Sequence, residues 1–205
     1  MRTVSAIGIG YVIGLYYYMM TPTKEGTHSS HAHTVHFYRD RLAMGSHVAK
    51  FLLEGLHSKE SVFVVASRDT QDAIWKHLVS DLPHLTAPPH YGAVDADELL
   101  STFLVNAKPD RDQFFAVMDG IFAKPSRTAR PIRVYGEMVV RLWHAGLPEA
   151  ALQLEDLWNL LADRYKFSLL CAYPINLFEG QDTQWFLQTC ASHSQLSFIS
   201  GKGLS

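Results

Sequence analysis

Apolar positions recur along this chain in helical and strand rhythms, and from about residue 31 onward they divide it into alternating elements. Thr34 to Tyr38 (TVHFY) reads as a short strand. Asp40 is placed to cap a helix to about His57, whose Met44, Val48, Phe51, Leu52 and Leu56 keep helical spacing. Ser61 to Ala66 (SVFVVA) is a continuous apolar run, the pattern of a strand covered on both faces. Asp69 or Thr70 caps the next helix, which runs to Val79. Residues 83–93 hold three prolines and read as irregular, with one short edge strand at most. Asp95 opens a helix to about Val105, and Asp110 another that ends near Lys124. Ile132 to Tyr135 is a strand, and Glu137 to His144 a helix stopped by Gly146. Pro148 suits the first turn of the following helix, whose Ala150, Leu154, Leu157, Trp158, Leu161 and Tyr165 share one face. Phe167 to Tyr173 (FSLLCAY) is a second doubly covered strand, and a last helix spans Thr183 to His193.

Strands separated by helices pair in parallel through right-handed crossovers, so the expected architecture is a three-layer α/β domain with a mostly parallel sheet. Such sheets bind ligands at the carboxyl ends of their strands, where the strand order reverses. That rule places Tyr38 to His47, Ser67 to Thr70, Tyr135 to Glu137 and Tyr173 to Ile175 around one mouth.

The amino-terminal stretch breaks this rhythm. Val4 to Met20 carries no charge, at the short end of the roughly 17–25 apolar residues that span a bilayer. Gly10 and Gly14 form a GxxxG pair that would let two such helices approach closely. The segment reads as a membrane anchor, or as an extension ahead of a start at Met19 or Met20. Residues 21–30 (TPTKEGTHSS) have linker composition. The expected organisation is residues 1–20 apolar segment, 21–30 linker, 31–195 folded domain and 196–205 tail.

Composition removes several function classes. With 47% hydrophobic and 19% charged residues, the chain is neither disordered nor fibrous. A formal charge of −2 and no long basic run argue against direct nucleic-acid binding. Two cysteines, Cys171 and Cys190, suit a reducing compartment. The expected location is therefore cytoplasmic, with a membrane tether through residues 4–20 as the open alternative.

The strand, loop and helix at His36 to Leu56 stand where a phosphate-binding loop would lie. YRDRLAMGSHVAKF offers Gly45 but no Lys in the place that GxxxxGK[ST] requires, so ATP hydrolysis is not expected. His28, His31, His33 and His36 cluster at the linker edge, where solvated histidines are the ordinary outcome. Cys190 and His193 lie three apart on the last helix, and with Cys171 they would form a soft ligand set only if the fold joined all three. No metal set, cofactor or catalytic group is assigned on these patterns, as neither GxSxG nor HExxH occurs. Arg133 ends a strand beside Glu137 at a helix start. The pair reads equally as a structural ion pair or as the polar floor of a ligand pocket. Trp143 and Trp158 are expected in the core.

HTVHFY, FLLEGLHSKESVFVVAS, RPIRVYGEMVVRLWHAG, LEDLWNLLADRYKFSLLCAYP and the closing CASH occur in one order between His33 and His193. In these blocks the chain resembles the MEDS family, a sensory domain named for methanogens, methylotrophs and a dichloromethane-responsive regulator. The resemblance implies a non-catalytic signal-transduction input module of prokaryotes that senses a small hydrocarbon derivative, on a RecA-like fold without a working phosphate loop. It implies a histidine kinase or a transcription regulator as partner. It also offers Tyr38, Arg133, Glu137, Cys171 and Tyr173 as ligand-pocket candidates. The alternatives are a residual nucleotide-binding relative of RecA-type ATPases and a protein interaction module without a small ligand.

Overall fold

A sheet of six parallel strands in the order β3-β2-β6-β7-β1-β8 carries the fold. The computed structural model describes residues 32–81, 90–127 and 129–198. In chain order the elements are β1 (His33–Tyr38), α1 (Arg41–His57), β2 (Ser61–Ala66), α2 (Arg68–Asp81), β3 (Tyr91–Asp95), α3 (Ala96–Ser101), β4 (Leu104–Val105), β5 (Lys108–Pro109) and α4 (Arg111–Arg127). They continue with β6 (Ile132–Gly136), α5 (Met138–His144), α6 (Pro148–Ala162), β7 (Phe167–Pro174), a 3₁₀ turn (Ile175–Phe178), α7 (Thr183–Ala191) and β8 (Gln195–Phe198).

The three layers follow from where the chain goes after each strand. The crossovers after β1 and β2 run toward the β3 edge, which in right-handed connections puts α1 and α2 together on one face. There Met44, Val48, Leu52, Ile74 and Leu78 pack on Val62, Val64, Tyr135 and Leu170. The later crossovers run the other way and put α3 to α7 on the opposite face, over a larger core that includes Phe103, Phe114, Phe122, Trp143, Trp158 and Phe186. The alternation of β7 splits its residues between the layers: Leu169, Cys171 and Tyr173 face the larger core, and Leu170 and Ala172 the smaller.

Most sequence expectations on local structure hold. Asp40 caps α1 by accepting from the Leu42 N–H at 2.9 Å, and Gly146 follows α5 with φ +75°. Three details differ. Arg68 already begins α2, so Asp69 lies in its first turn rather than at its cap. The helix after Asp95 ends at Ser101, because the chain turns through Asn106 and Ala107 at positive φ into the small hairpin β4–β5. Residues 195–198, expected largely as tail, form β8 and pair with β1, extending the sheet by an edge strand. Among the described residues no helix is long and apolar enough to cross a membrane. The apolar segment at residues 4–20 lies outside the described residues.

Candidate functional site

The chain leaves β1 and β2 toward one face and the neighbouring β7 and β6 toward the other, so the loops at these carboxyl ends diverge. They open a cleft of about 580 Å³. Tyr38, Arg39 and Arg41 reach it from β1, and Ser67, Arg68 and Asp69 from β2. Glu137, Val140, Arg141 and His144 follow β6, Pro174 and Asn176 follow β7, and Asp95 and Asp97 complete the rim. All four strand ends that the topology rule selected meet here.

The cleft is more polar than a largely apolar ligand would require. Glu137 anchors its wall: one carboxylate oxygen accepts the Ser67 N–H at 2.6 Å and the other accepts the Thr70 hydroxyl at 2.8 Å. Arg141 is held by both oxygens of Asp97 at 2.7 and 2.9 Å, and Arg68 reaches Glu98 at 3.0 Å. Arg39 lies 3.4 Å from Glu179. Among the described residues, Arg41 is the cleft arginine with neither an ion pair nor a hydrogen bond. Burial and then the charge of Glu137 push the Tyr38 phenol up to about 12, so it stays a hydrogen-bond donor at neutral pH.

Cys171 and Tyr173 do not reach this cleft. Their side chains point to the other face of β7 and join a second, largely buried group. The Tyr173 hydroxyl donates to Glu155 Oε1 at 2.6 Å, and the Cys171 thiol lies 3.7 Å from Glu155 Oε2. His33 Nε2 stands 3.2 Å from Glu155 Oε2, and His193 Nε2 3.4 Å from Glu155 Oε1. One ligand atom from each of His33, Glu155, Cys171 and His193 fits within 4.8 Å of the others. Burial resists ionisation of Glu155, but the two imidazoles outweigh it and hold the carboxyl below the usual carboxylate range. Burial, reinforced by Glu155, pushes both the Cys171 thiol and the Tyr173 phenol well up.

The condition set for a soft Cys171, Cys190 and His193 group is not met: Cys171 and His193 come together, whereas Cys190 stays outside the group. His33, read among solvated linker histidines, is instead drawn under the sheet by the alternation of β1. Glu155 was not singled out in the sequence. Its signal was available: it lies four residues after Ala151 and three before Trp158, so it is a charge on the apolar face of α6.

Arg133 and Glu137 are not an ion pair. Arg133 lies at the amino half of β6 and turns to the α1 layer, where its Nε donates to Glu60 Oε2 at 2.6 Å and its Nη1 to the Phe51 carbonyl at 3.0 Å. It therefore sits away from the cleft, and of the five pocket candidates Tyr38 and Glu137 are the two that line it. Trp143 and Trp158 are buried, as expected.

A family model described as MEDS, the methanogen/methylotroph, DcmR sensory domain, matches residues 32–189. No curated protein matches the chain.

Proposed function

The chain belongs to the MEDS family of sensory domains, and on that premise we propose that it binds a small organic molecule in the carboxyl-edge cleft and relays the binding to a partner protein. The observation that carries this reading is the convergence of Tyr38, Arg41 and Glu137 on one cleft at the point where the strand order reverses. Arg41, without an ion pair among the described residues, offers its charge to a polar or anionic head group. Val140, Pro174 and the Tyr38 ring offer apolar surface to a short hydrocarbon body. The partner is a histidine kinase or a transcription regulator.

Signalling would follow from differential affinity, since a ligand shifts a conformational balance only by as much as it prefers one state. The segment placed to respond is the start of α2, which Glu137 ties to β6 through Ser67 and Thr70. Two features weigh against nucleotide binding. Only Arg39 and Asp40 join β1 to α1, too short a link to wrap a phosphate chain, and the Asp40 carboxylate already occupies the α1 amino terminus.

Thermal unfolding of the full chain against short alcohols, carboxylates, halocarbons, methylated amines and magnesium–ATP tests the reading. A compound that binds the folded state at a hundredfold excess over its dissociation constant adds about 2.7 kcal/mol. The reading requires such a shift with a small organic compound, reduced in Arg41→Ala. A shift with magnesium–ATP alone would favour the nucleotide-binding alternative, and no shift with any compound would favour an interaction module.

A further inference from the structure

The buried group beneath β1 and β7 is built from four separate elements. His33 begins β1, Cys171 is central in β7, Glu155 lies mid-way along α6, and His193 follows α7. Val35 is paired with Cys171 in the sheet, so His33 lies one pleat away on the same face. The Glu155 side chain is fully buried, and among the described residues its only ion-pair partners are the two imidazoles. A carboxylate removed from water in this way costs several kcal/mol unless a compensating positive charge lies against it.

Hydrogen bonding on the far side of each ring sets the tautomers. The Asn159 amide donates through Nδ2 to the Ser192 carbonyl at 2.9 Å, which turns its Oδ1 to His33 Nδ1 at 2.8 Å. His33 Nδ1 therefore carries a hydrogen. His193 Nδ1 faces the Thr189 carbonyl at 2.7 Å and carries one too. In a neutral imidazole the other nitrogen is then a bare lone pair. Both Nε2 atoms lie within 3.4 Å of the Glu155 carboxylate, and among the described residues buried His193 Nε2 has no hydrogen-bond partner. Lone pairs facing an anion repel, so the arrangement calls for a positive charge between them, either a second proton on the rings or a metal cation.

From these positions we propose that His33, Glu155, Cys171 and His193 bind a borderline divalent transition-metal ion, zinc by preference, in a closed tetrahedral site. The spacing fits. Zinc bonds of about 2.0–2.1 Å to nitrogen or oxygen and about 2.3 Å to sulfur give tetrahedral edges of about 3.3 Å and about 3.6 Å respectively. His33 Nε2, Cys171 Sγ and Glu155 Oε2 make one such face, with separations of 3.2, 3.6 and 3.7 Å. His193 Nε2 stands 3.4 Å from the other oxygen, Oε1, and the four ligand atoms lie within 4.8 Å, so a bound ion would draw His193 inward. The charge fits as well, because a divalent ion with one carboxylate, one thiolate and two neutral imidazoles is neutral overall. Binding breaks the Cys171 S–H bond, forms a metal–sulfur bond and releases the proton to solvent. Asn159, the Thr189 carbonyl and Tyr173 orient the ligands from outside, as partners of metal-bound histidines and carboxylates do. Four protein ligands in a buried position make the site structural, clasping β1, β7, α6 and the end of α7.

The test uses tag-free full-length chain, whose metal content is measured after dialysis against zinc and then metal-free buffer, and whose cobalt complex is recorded by absorption. We expect about one equivalent of zinc. With cobalt we expect intense tetrahedral visible bands and a near-ultraviolet thiolate-to-metal band. Cys171→Ser removes the thiolate band, Cys190→Ser keeps it, and Asn159→Ala weakens binding by about 10–100-fold. Folded wild-type chain that retains no zinc and gives no cobalt bands overturns the proposal in favour of imidazoles that share protons with Glu155. A thiolate band that persists in Cys171→Ser overturns it too. Neither result depends on a ligand in the carboxyl-edge cleft.

Discussion

Arg133 grips Glu60 with two nitrogens, Nε to Oε2 at 2.6 Å and Nη2 to Oε1 at 3.2 Å, while its guanidinium lies 4.7 Å from the centre of the Phe51 ring. The side chain is 15% exposed, so the pair is partly shielded from water and worth more than a surface ion pair. Arg133→Ala strands the Glu60 carboxylate and frees the last turns of α1. The expected loss is about 2–3 kcal/mol, read as a fall in the urea midpoint, with ligand-induced shifts unchanged. Lost ligand response at unchanged stability would return Arg133 to the binding site.

Gly55 exists for the same contact. A Cβ there would lie 2.7 Å from Arg133 Cδ and 2.8 Å from Nε, closer than side-chain atoms approach. Gly55→Ala, normally favourable inside a helix by about 1 kcal/mol, should therefore destabilise the wild type. In an Arg133→Ala background the same change should become neutral or stabilising. Equal effects in both backgrounds, measured by a double-mutant cycle, would separate the two residues.

Glu137 acts as a clasp. Replacing it with Ala leaves the Ser67 N–H and the Thr70 hydroxyl without their acceptor, at a cost of about 1–3 kcal/mol. Hydrogen exchange should rise at the start of α2 while the centre of β7 stays protected. Exchange rising equally throughout would mean that Glu137 supports the whole domain and not this wall.

His36 makes stability fall on acidification. Burial, and then the adjacent His47, pull its imidazole down to about 3. His47 on α1 stacks on it at 3.8 Å, with Lys50 and Glu54 acting on His47, and Ser197 on β8 meets its Nδ1 at 3.0 Å. Since the folded state refuses a proton that the unfolded state accepts below about 6.5, stability is full above that pH and declines down to about 3. Between pH 7 and 5 the His36 share is about 2 kcal/mol. Denaturant unfolding of wild type and His36→Gln at both pH values checks this, the variant losing that part of the slope. Parallel pH dependences would remove His36 as the cause.

The layers were legible because burial writes itself into spacing: the α6 stripe, the SVFVVA and FSLLCAY runs and the Asp40 cap each belong to one element and need no partner to be read. The cleft followed from topology alone, which depends only on strand order. What escaped depends on distant residues meeting. QLSF is too short and polar to announce β8, and Asn106–Ala107 lacks the glycine that usually marks a hairpin turn. Arg133 and Glu137 stand close in sequence, but four residue-to-residue rises along the strand separate them by roughly 13 Å. The buried histidine, cysteine and glutamate group draws on residues from 33 to 193, so no local motif could display it.

Amide hydrogen exchange of the full chain, with and without the organic compounds that raise its unfolding midpoint, shows whether those compounds enter the carboxyl-edge cleft. Added protection is expected at residues 38–41, 67–70 and 137–141, the segments that wall the carboxyl-edge cleft. Protection confined to any other part of the sheet, or no compound that protects these segments, would contradict binding there.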